Sequence, residues 1–549
     1  MNRFTITANL IDLFRKSIYP ALITIEEGKI KSIQPTEENP ATYILPGMVD
    51  AHVHIESSML VPTEFARLAT LHGTVATVSD PHEIANVCGK EGVQYMIDNA
   101  AQTPFKFFFG APSCVPATGF ETAGATLDAE AVAALLAQKD IWYLSEMMNY
   151  PGVLHDDAEV LAKIAAAKKH GKPIDGHAPM VRGEAVKKYA SAGITTDHES
   201  VSLEEALDKM NAGIKCLIRE GSAAKNFDAL IEMLRLHPEK TMFCCDDKHP
   251  DELVLHHIND HVKRALAMGY DLFDVLRAAC VHPVVYYRLP VGLLREGDDA
   301  DFILIDHPDK FTILKTYING ILVAENGTCL LPSVPIKPIN NFSARPFHPR
   351  DFEIKARSNN AEINVIEALD GQLITRKFKT HAKQENGVLL TDTENDILKT
   401  TVVNRYQPGV APAVAFIKNF GLKHGALAST VAHDCHNIIA IGVDDESICL
   451  AVNKLIETKG GIVVVTSGKE IISMPLPIAG LMSDKDGYTV AREYAALDQA
   501  AKDLGSTLKA PFMSLSFMAL LVIPSLKLSD KGLFDGELFA FVEVEQNTA

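Results

Sequence analysis

No apolar run in the chain approaches the ~20 residues that a membrane-spanning helix requires. The most apolar segment, Phe517–Ile523, has only about the length of a strand. The N-terminal stretch MNRFTITANLIDLFRKSIYP lacks the continuous apolar core of a secretory signal. There is no CxxC pair either. The nine cysteines are odd in number and scattered, and only Cys244 and Cys245 are adjacent. That usage excludes a disulfide framework and fits a reduced, cytoplasmic chain. Basic residues are outnumbered, 52 against 70 acidic, for a net charge of −18. A nucleic-acid backbone wants a basic face, so the balance argues against that class of partner. The balance suits a small neutral or cationic ligand, although solubility alone explains it equally well. An internal repeat of fixed period, low-complexity segments and a GxGxxG at the first strand–helix turn are also missing.

What is present is a globular composition, 47% hydrophobic and 22% charged, over 549 residues. At roughly 150 residues per domain that length predicts three or four domains. Alternating stretches at Ala21–Glu26 and Lys29–Ile33, parted by Glu27-Gly28, predict a hairpin. The same texture returns at Asp301–Ile305 and Leu314–Ala324, with Asn319-Gly320 as a turn. These two pieces predict one small β-sandwich domain built from both flanks, residues 1–44 and 288–342. Between them, residues 45–287 alternate strand and helix. The predicted strands are Val49–Ile55, Thr74–Ser79, Phe105–Gly110, Ile141–Glu146, Pro173–His177, Ile194–Asp197, Ile214–Ile218 and Thr241–Asp246. Helical patterns include Asp128–Gln138, Asp156–Gly171, Glu184–Ala192 and Ala223–Leu236. Eight such repeats in roughly 240 residues is the arithmetic of a (β/α)8 TIM-like barrel, with a doubly wound sheet as the competing topology. Residues 343–549 read as a further α/β domain, with a strand–helix–strand unit at Ile438–Val443, Asp445–Lys459 and Gly461–Thr466.

The chemistry centres on LPGMVDAHVHIESSML, Leu45–Leu60. Residues two apart on a strand share a face, so a strand from Met48 to Ile55 predicts His52, His54 and Glu56 on one side. Alone, HxH is also the mark of hydrogen-bonded core histidines. The other strand ends decide, because in a barrel they converge on one site. They carry Asp80, His82-Glu83, Glu146, His177, His198-Glu199, Arg219-Glu220 and Asp246-Asp247. Four histidines and two carboxylates gathered there predict a metal site, binuclear if a carboxylate bridges. His82, Glu83 and Glu56 are candidate acid–base groups, and Glu83 could equally be a first-turn charge on a helix. Asp247, Glu199, Arg219 and Ser222 are candidate substrate contacts. Asp246 and Asp247 compete for one role, and Asp246 is preferred as the residue that finishes its strand. His433 and His436, in VAHDCHNI, read as a polar loop, with a loop closing over the barrel as the minority reading.

This order of ligand types resembles the amidohydrolase superfamily. Within it, the strings LPGMVDAHVHIESSM, VSDPHEIANV, WYLSEMMNYPGV, DGHAP, TTDHES, REGS, CDDKHP, VAHDCHNI, GGIVVV and PFMSLSFMALLVIP are similar to adenine deaminases of the bacterial type with an extra C-terminal domain. They cover most of the chain from Leu45 onward, and Leu521 departs from the pattern by standing where proline is expected. The resemblance implies that His52 and His54 bind a first metal, His177 and His198 a second, and that Glu146 bridges them. Asp246 completes the first site and shuttles protons. The implied cofactors are two divalent transition metals, manganese or iron, with zinc also compatible with imidazole and carboxylate ligands. The implied reaction is attack of a metal-held hydroxide on C6 of adenine, giving hypoxanthine and ammonia in purine salvage. Partners are then adenine and water, without nucleic acid or membrane, in a homo-oligomer. A cyclic-amide hydrolase of the same superfamily and a non-catalytic scaffold relative are the alternatives. Glu146, in place of the usual fourth-strand lysine, counts against the first, and the full ligand set against the second. The HxE…PCxxC pattern of the base-flipping zinc deaminases is absent.

Overall fold

The computed structural model describes residues 3–222 and 224–546. The chain opens with an antiparallel meander, β1 (Arg3–Asp12), β2 (Ser17–Glu26) and β3 (Lys29–Pro35), followed by β4 (Tyr43–Pro46) running parallel to β1. Eight parallel strands come next. A five-stranded sheet runs in chain order through β5 (Met48–Val53), β6 (Thr74–Ser79), β7 (Lys106–Ala111), β8 (Ile141–Met147) and β9 (Ile174–Gly176). A three-stranded sheet continues with β10 (Thr196–Asp197), β11 (Lys215–Arg219) and β12 (Thr241–Cys244). The chain then returns to the first sheet. There β13 (Phe302–Ile305) pairs with β4, and β14 (Ile313–Ile318), β15 (Ile321–Glu325) and β16 (Thr328–Cys329) follow outward.

The parallel strands curl. Val53, the last residue of β5, bridges Asp246 just beyond β12. The Asp246 N–H donates to His52 O at 2.9 Å, and the His54 N–H to Asp246 O at 3.3 Å. At the other seam the Thr195 N–H donates to Ile174 O at 3.1 Å. Every residue of β5, β6 and β12 is buried, as strands covered on both faces must be. Because all eight run one way, their carboxyl ends meet on one side of the sheet. The helices between them start where Asp128, Asp157 and Ser202 accept a hydrogen bond from the backbone three residues on, pairing donors the helix cannot satisfy itself.

Three local readings of the sequence change. The strand expected to run to Ile55 stops at Val53, because Ile55–Ser58 folds into a 3-10 turn closed by Met59 at φ +58°. Glu56 therefore sits on that turn and not on the strand face. The strand expected to reach Asp246 stops at Cys244. The helix read as Ala223–Leu236 begins on a residue outside those described, and it is two short helices, Phe227–Leu230 and Glu232–Leu236. The preceding residues are drawn into a Glu220–Lys225 bridge and an Asn226 side chain bound to Arg219.

The C-terminal part is built on a second eight-stranded sheet, ordered 375–381, 362–368, 413–418, 398–403, 438–442, 426–429, 461–465 and 471–475. The strand–helix–strand unit forms, with Ala426–Ser429 inserted between its two strands. Alternation along these strands divides the sheet into two faces. Ile438, Ala440, Ala426, Val463 and Val465 pack under the helix Asp445–Thr458. Ile439, Ile441, Leu427, Ile462 and Val464 join the same core as Val53, Phe65 and Val78 of the parallel-strand region. The two regions thus share one apolar core. The apolar segment Phe517–Ile523 has the length of a strand but forms a 3-10 turn, Phe517–Ala519, and a loop.

Candidate functional site

The carboxyl ends of β5, β8, β9, β10 and β12 bring six side chains together. His52 and His54 turn their Nε2 atoms toward each other at 3.2 Å, and Asp246 Oδ1 lies 3.5 Å and 3.1 Å from them. The His54 Nδ1 faces the Asp80 carbonyl at 3.2 Å, which holds a proton there and leaves Nε2 its lone pair. On the opposite side, Glu146 Oε2 is 2.8 Å from His177 Nδ1 and 3.0 Å from His198 Nε2. Its other oxygen, Oε1, faces His54 at 3.4 Å and His82 at 3.4 Å. The His52 and His198 rings stack at 4.0 Å and so tie the two halves together. Burial pushes the Glu146 carboxyl up, but the His177 and His198 rings outweigh it and hold the group well below the usual carboxylate range.

Asp246 is placed by backbone geometry as much as by its neighbours. Its φ of +57° lies in the left-handed region, which costs an aspartate of order 1–3 kcal/mol. The two backbone hydrogen bonds to β5 hold it there. Arg219 at the end of β11 donates to Asp246 Oδ2 at 2.7 Å and to both oxygens of Glu199. Burial raises the Asp246 pKa, yet Arg219 and His198 hold it well below the ordinary value. Arg219 is thus a buried cation behind the cluster. Asp247 lines the same cavity and accepts a hydrogen bond from Ser57 at 2.5 Å. Ser222 does not reach the cluster: its hydroxyl donates to Glu252 at 3.0 Å, although its N–H binds the Asp247 carbonyl. Glu56 is held by the Ile84 N–H at 3.2 Å, and burial pushes its carboxyl up to about 7.

The reading of His433 and His436 as a polar loop is overturned. Both are buried, and both grip Glu83: His433 Nδ1 lies 2.6 Å from Oε1, and His436 Nε2 contacts Oε2. Glu83 follows β6 in the parallel-strand region, so the C-terminal part reaches across and closes over the strand ends. A polar loop cannot stay solvated when the sheet behind it is docked through an apolar face. His82 stands between the two regions. Its Nδ1 is 3.2 Å from Asp80 and its Nε2 is 3.4 Å from Glu83. Leu373, Asp434, Phe517 and Leu520 complete the cavity wall from the C-terminal part. Sequence reasoning assigned none of these four a role, although Asp434 lies within VAHDCHNI and Phe517 and Leu520 within PFMSLSFMALLVIP; only Leu373 carried no signal.

The residues fit metal ions. Ligand atoms about 3 Å apart are what bonds of about 2.1 Å radiating from a common ion produce. His52, His54 and Asp246 form one such group, and His52, Glu146 and His198 another. His198 Nε2 is buried without a hydrogen-bond partner, as are both ring nitrogens of His82. With neutral imidazoles, the carboxylates of Glu146, Asp246 and Glu199 leave more negative than positive charge in a buried space, and divalent cations would balance it. Nitrogen and oxygen donors without thiolate suit first-row transition metals.

Comparison with known proteins agrees with this geometry. The family model for the amidohydrolases matches residues 43–323, and the one for the adenine deaminase C-terminal domain matches residues 372–540. An adenine deaminase of Salinibacter ruber is 54% identical over 541 residues, 98% of each chain. One from Sulfurovum sp. is 56% identical over 537 residues, again 98% of each chain, and one from Methanosarcina barkeri is 51% identical over 97% of this chain and 98% of its own. With the strand ends that carry the histidine–carboxylate cluster inside the first match and the docked sheet inside the second, the chain belongs to the adenine deaminase family of amidohydrolases.

Proposed function

We propose that the chain hydrolyses adenine to hypoxanthine and ammonia, in purine salvage, at two divalent transition-metal sites. His52, His54 and Asp246 would hold one ion, His177 and His198 the other, with Glu146 between them. The observation that carries the reading is the division of Glu146: one oxygen faces His54, the other faces His177 and His198. When bound, such a pair of ions supplies a water-derived nucleophile at neutral pH and polarises what it touches. The protein groups do the rest. Asp246, kept ionised by Arg219, accepts the proton released as water attacks C6. It then delivers that proton to the departing amino group. His82 and Glu83 line the cavity and Glu56 lies near Glu83, and a protonated member of this set donates to a ring nitrogen and makes C6 electrophilic. Glu199 holds Arg219 in place, and Asp247, oriented by Ser57, faces the substrate.

We read the eight parallel strands as a closed (β/α)8 barrel, residues 45–287, supported by the seam hydrogen bonds at Asp246 and Thr195. Residues 1–44 and 288–342 form the flanking β-sandwich. The Phe4 and Tyr317 rings, from β1 and β14 with β13 and β4 between them in the sheet order, stack at 5.8 Å, which supports a sheet that curls over itself. Residues 343–549 are the C-terminal α/β domain. Manganese or iron is the expected metal, with zinc also compatible, in a cytoplasmic homo-oligomer. The test is product analysis with the metal-loaded protein: stoichiometric ammonia and hypoxanthine from adenine are expected. Ring opening of cyclic amides, with adenine untouched, would contradict the reading.

A further inference from the structure

The segment 431–436, which follows the strand Ala426–Ser429, enters the cavity above the strand ends and is fixed from several sides. The His433 N–H donates to Ser516 O at 3.0 Å, and the His433 ring stacks on Phe517 at 4.4 Å. The buried Arg405 guanidinium holds the His436 carbonyl at 3.2 Å. The His436 Nδ1 accepts the Ala432 N–H at 3.2 Å, so the ring proton sits on Nε2 and is given to Glu83. This tautomer argues against a third metal at Glu83, because Nε2 has no free lone pair to offer. Both Glu83 oxygens are therefore engaged by histidines. Asp434 is different. It is buried and lines the cavity, and its Oδ2 has no hydrogen-bond partner. A buried carboxylate left in that state is costly unless a ligand supplies a donor.

Distances set which donor. His82 touches Glu146 Oε1 through Nδ1 at 3.4 Å and Asp434 Oδ1 through Nε2 at 3.9 Å. Asp434 thus stands one imidazole ring beyond the ligand cluster. Adenine has two kinds of N–H. Its amino group must lie at the reacting end, and the imidazole-ring N–H is at the far end of the base. An ionised carboxylate can only accept hydrogen bonds. We propose that Asp434, carried into the cavity by the C-terminal domain, is a specificity-determining residue that accepts the imidazole-ring N–H of the free purine base and so excludes bases substituted at that nitrogen. The proposal rests on the adenine-deaminating reading above. A substituted ring has no proton to give and presses an alkyl group against a buried charge. Sites built around such a hydrogen bond reject analogues that lack it by about 10⁴ or more.

The experiment uses full-length, metal-loaded protein with adenine and 9-methyladenine as substrates. Asp434→Asn, which keeps an acceptor oxygen but loses the charge, should raise KM for adenine about 10-fold, the difference between a charged and a neutral hydrogen bond, with the loss falling on KM more than on kcat. The preference for adenine over 9-methyladenine should shrink, and Asp434→Glu should restore part of it. Metal content should match that of the parent protein. The unmodified enzyme gives a second readout that does not depend on a variant's folding: purine should inhibit far more strongly than 9-methylpurine. Equal inhibition by the two, an unchanged preference in Asp434→Asn, or loss of metal in that variant would overturn the role of Asp434. Absence of ammonia from adenine with the unmodified, metal-loaded enzyme would instead overturn the activity itself.

Discussion

Glu146 faces five imidazole rings, those of His52, His54, His82, His177 and His198, so its two oxygens are the most sensitive point of the site. An amide has no negative charge to share between two ions. Glu146→Gln is therefore expected to lower metal content and turnover together, read by elemental analysis beside an ammonia assay; full metal content with near-normal turnover would remove it from the bridging position. Asp246 and Asp247 separate by chemistry. Asp246→Asn should retain part of the metal but lose about 10²–10⁴ in kcat, because an amide does not relay protons. Asp247→Asn should act mainly on KM, since Asp247 lines the cavity, is bound by Ser57 and takes no part in the imidazole contacts that Asp246 makes. The reverse pattern would hand the shuttle to Asp247. His52, His54, Glu146, His177 and His198 were legible as a group because each follows an apolar run, and parallel strands must end on the same side. Asp246 was legible in place but not in conformation, since no periodicity reports a residue at φ +57°. Ser222 had the right neighbours in sequence and the wrong direction in space.

At the scale of elements, β6, β13 and the helix Asp445–Thr458 lie close to where hydrophobic period and turn residues put them. Tertiary contacts override local pattern at the turn Ile55–Ser58 and in the broken helix after Asn226, and they also shape the Phe517–Ala519 turn, in a segment the sequence marks only as apolar and of strand length. That last turn is held from behind by Lys527, whose Nζ donates to Phe517 O at 2.8 Å and Leu373 O at 2.7 Å. Burial lowers its ammonium pKa to about 7 from an ordinary 10.5. Between these values the unfolded chain carries a proton that the native one does not, so this group makes native stability rise with pH across that window. Below about pH 7 both states are protonated and its full cost is present. Lys527→Met should flatten the rise in melting temperature from pH 7 to pH 10 and raise KM for adenine by loosening Phe517. Superimposable pH profiles for variant and parent would show that Lys527 titrates as in solvent.

Over the whole molecule, the parallel-strand region and the C-terminal sheet share one apolar core, and Glu83 ends in the grip of His433 and His436 more than three hundred residues away. In the sequence that union showed only as the minority reading of VAHDCHNI, because the continuous apolar run Ile438–Gly442 reports burial on both faces but not whether a helix or another domain covers the second. Metal ions should stabilise this assembly by mass action, by about 2.7 kcal/mol at a free concentration a hundred times Kd. The chelated protein should melt lower and recover on addition of Mn2+; identical melting with and without metal would mean that no ion binds the folded state. The most direct test is titration of metal-free protein with Mn2+, Fe2+ or Zn2+ while following ammonia release from adenine and bound metal per chain. The account predicts activity that rises to a plateau at two ions per chain, with little turnover in the metal-free protein. Full activity at one ion per chain, or turnover that persists without metal, would contradict it.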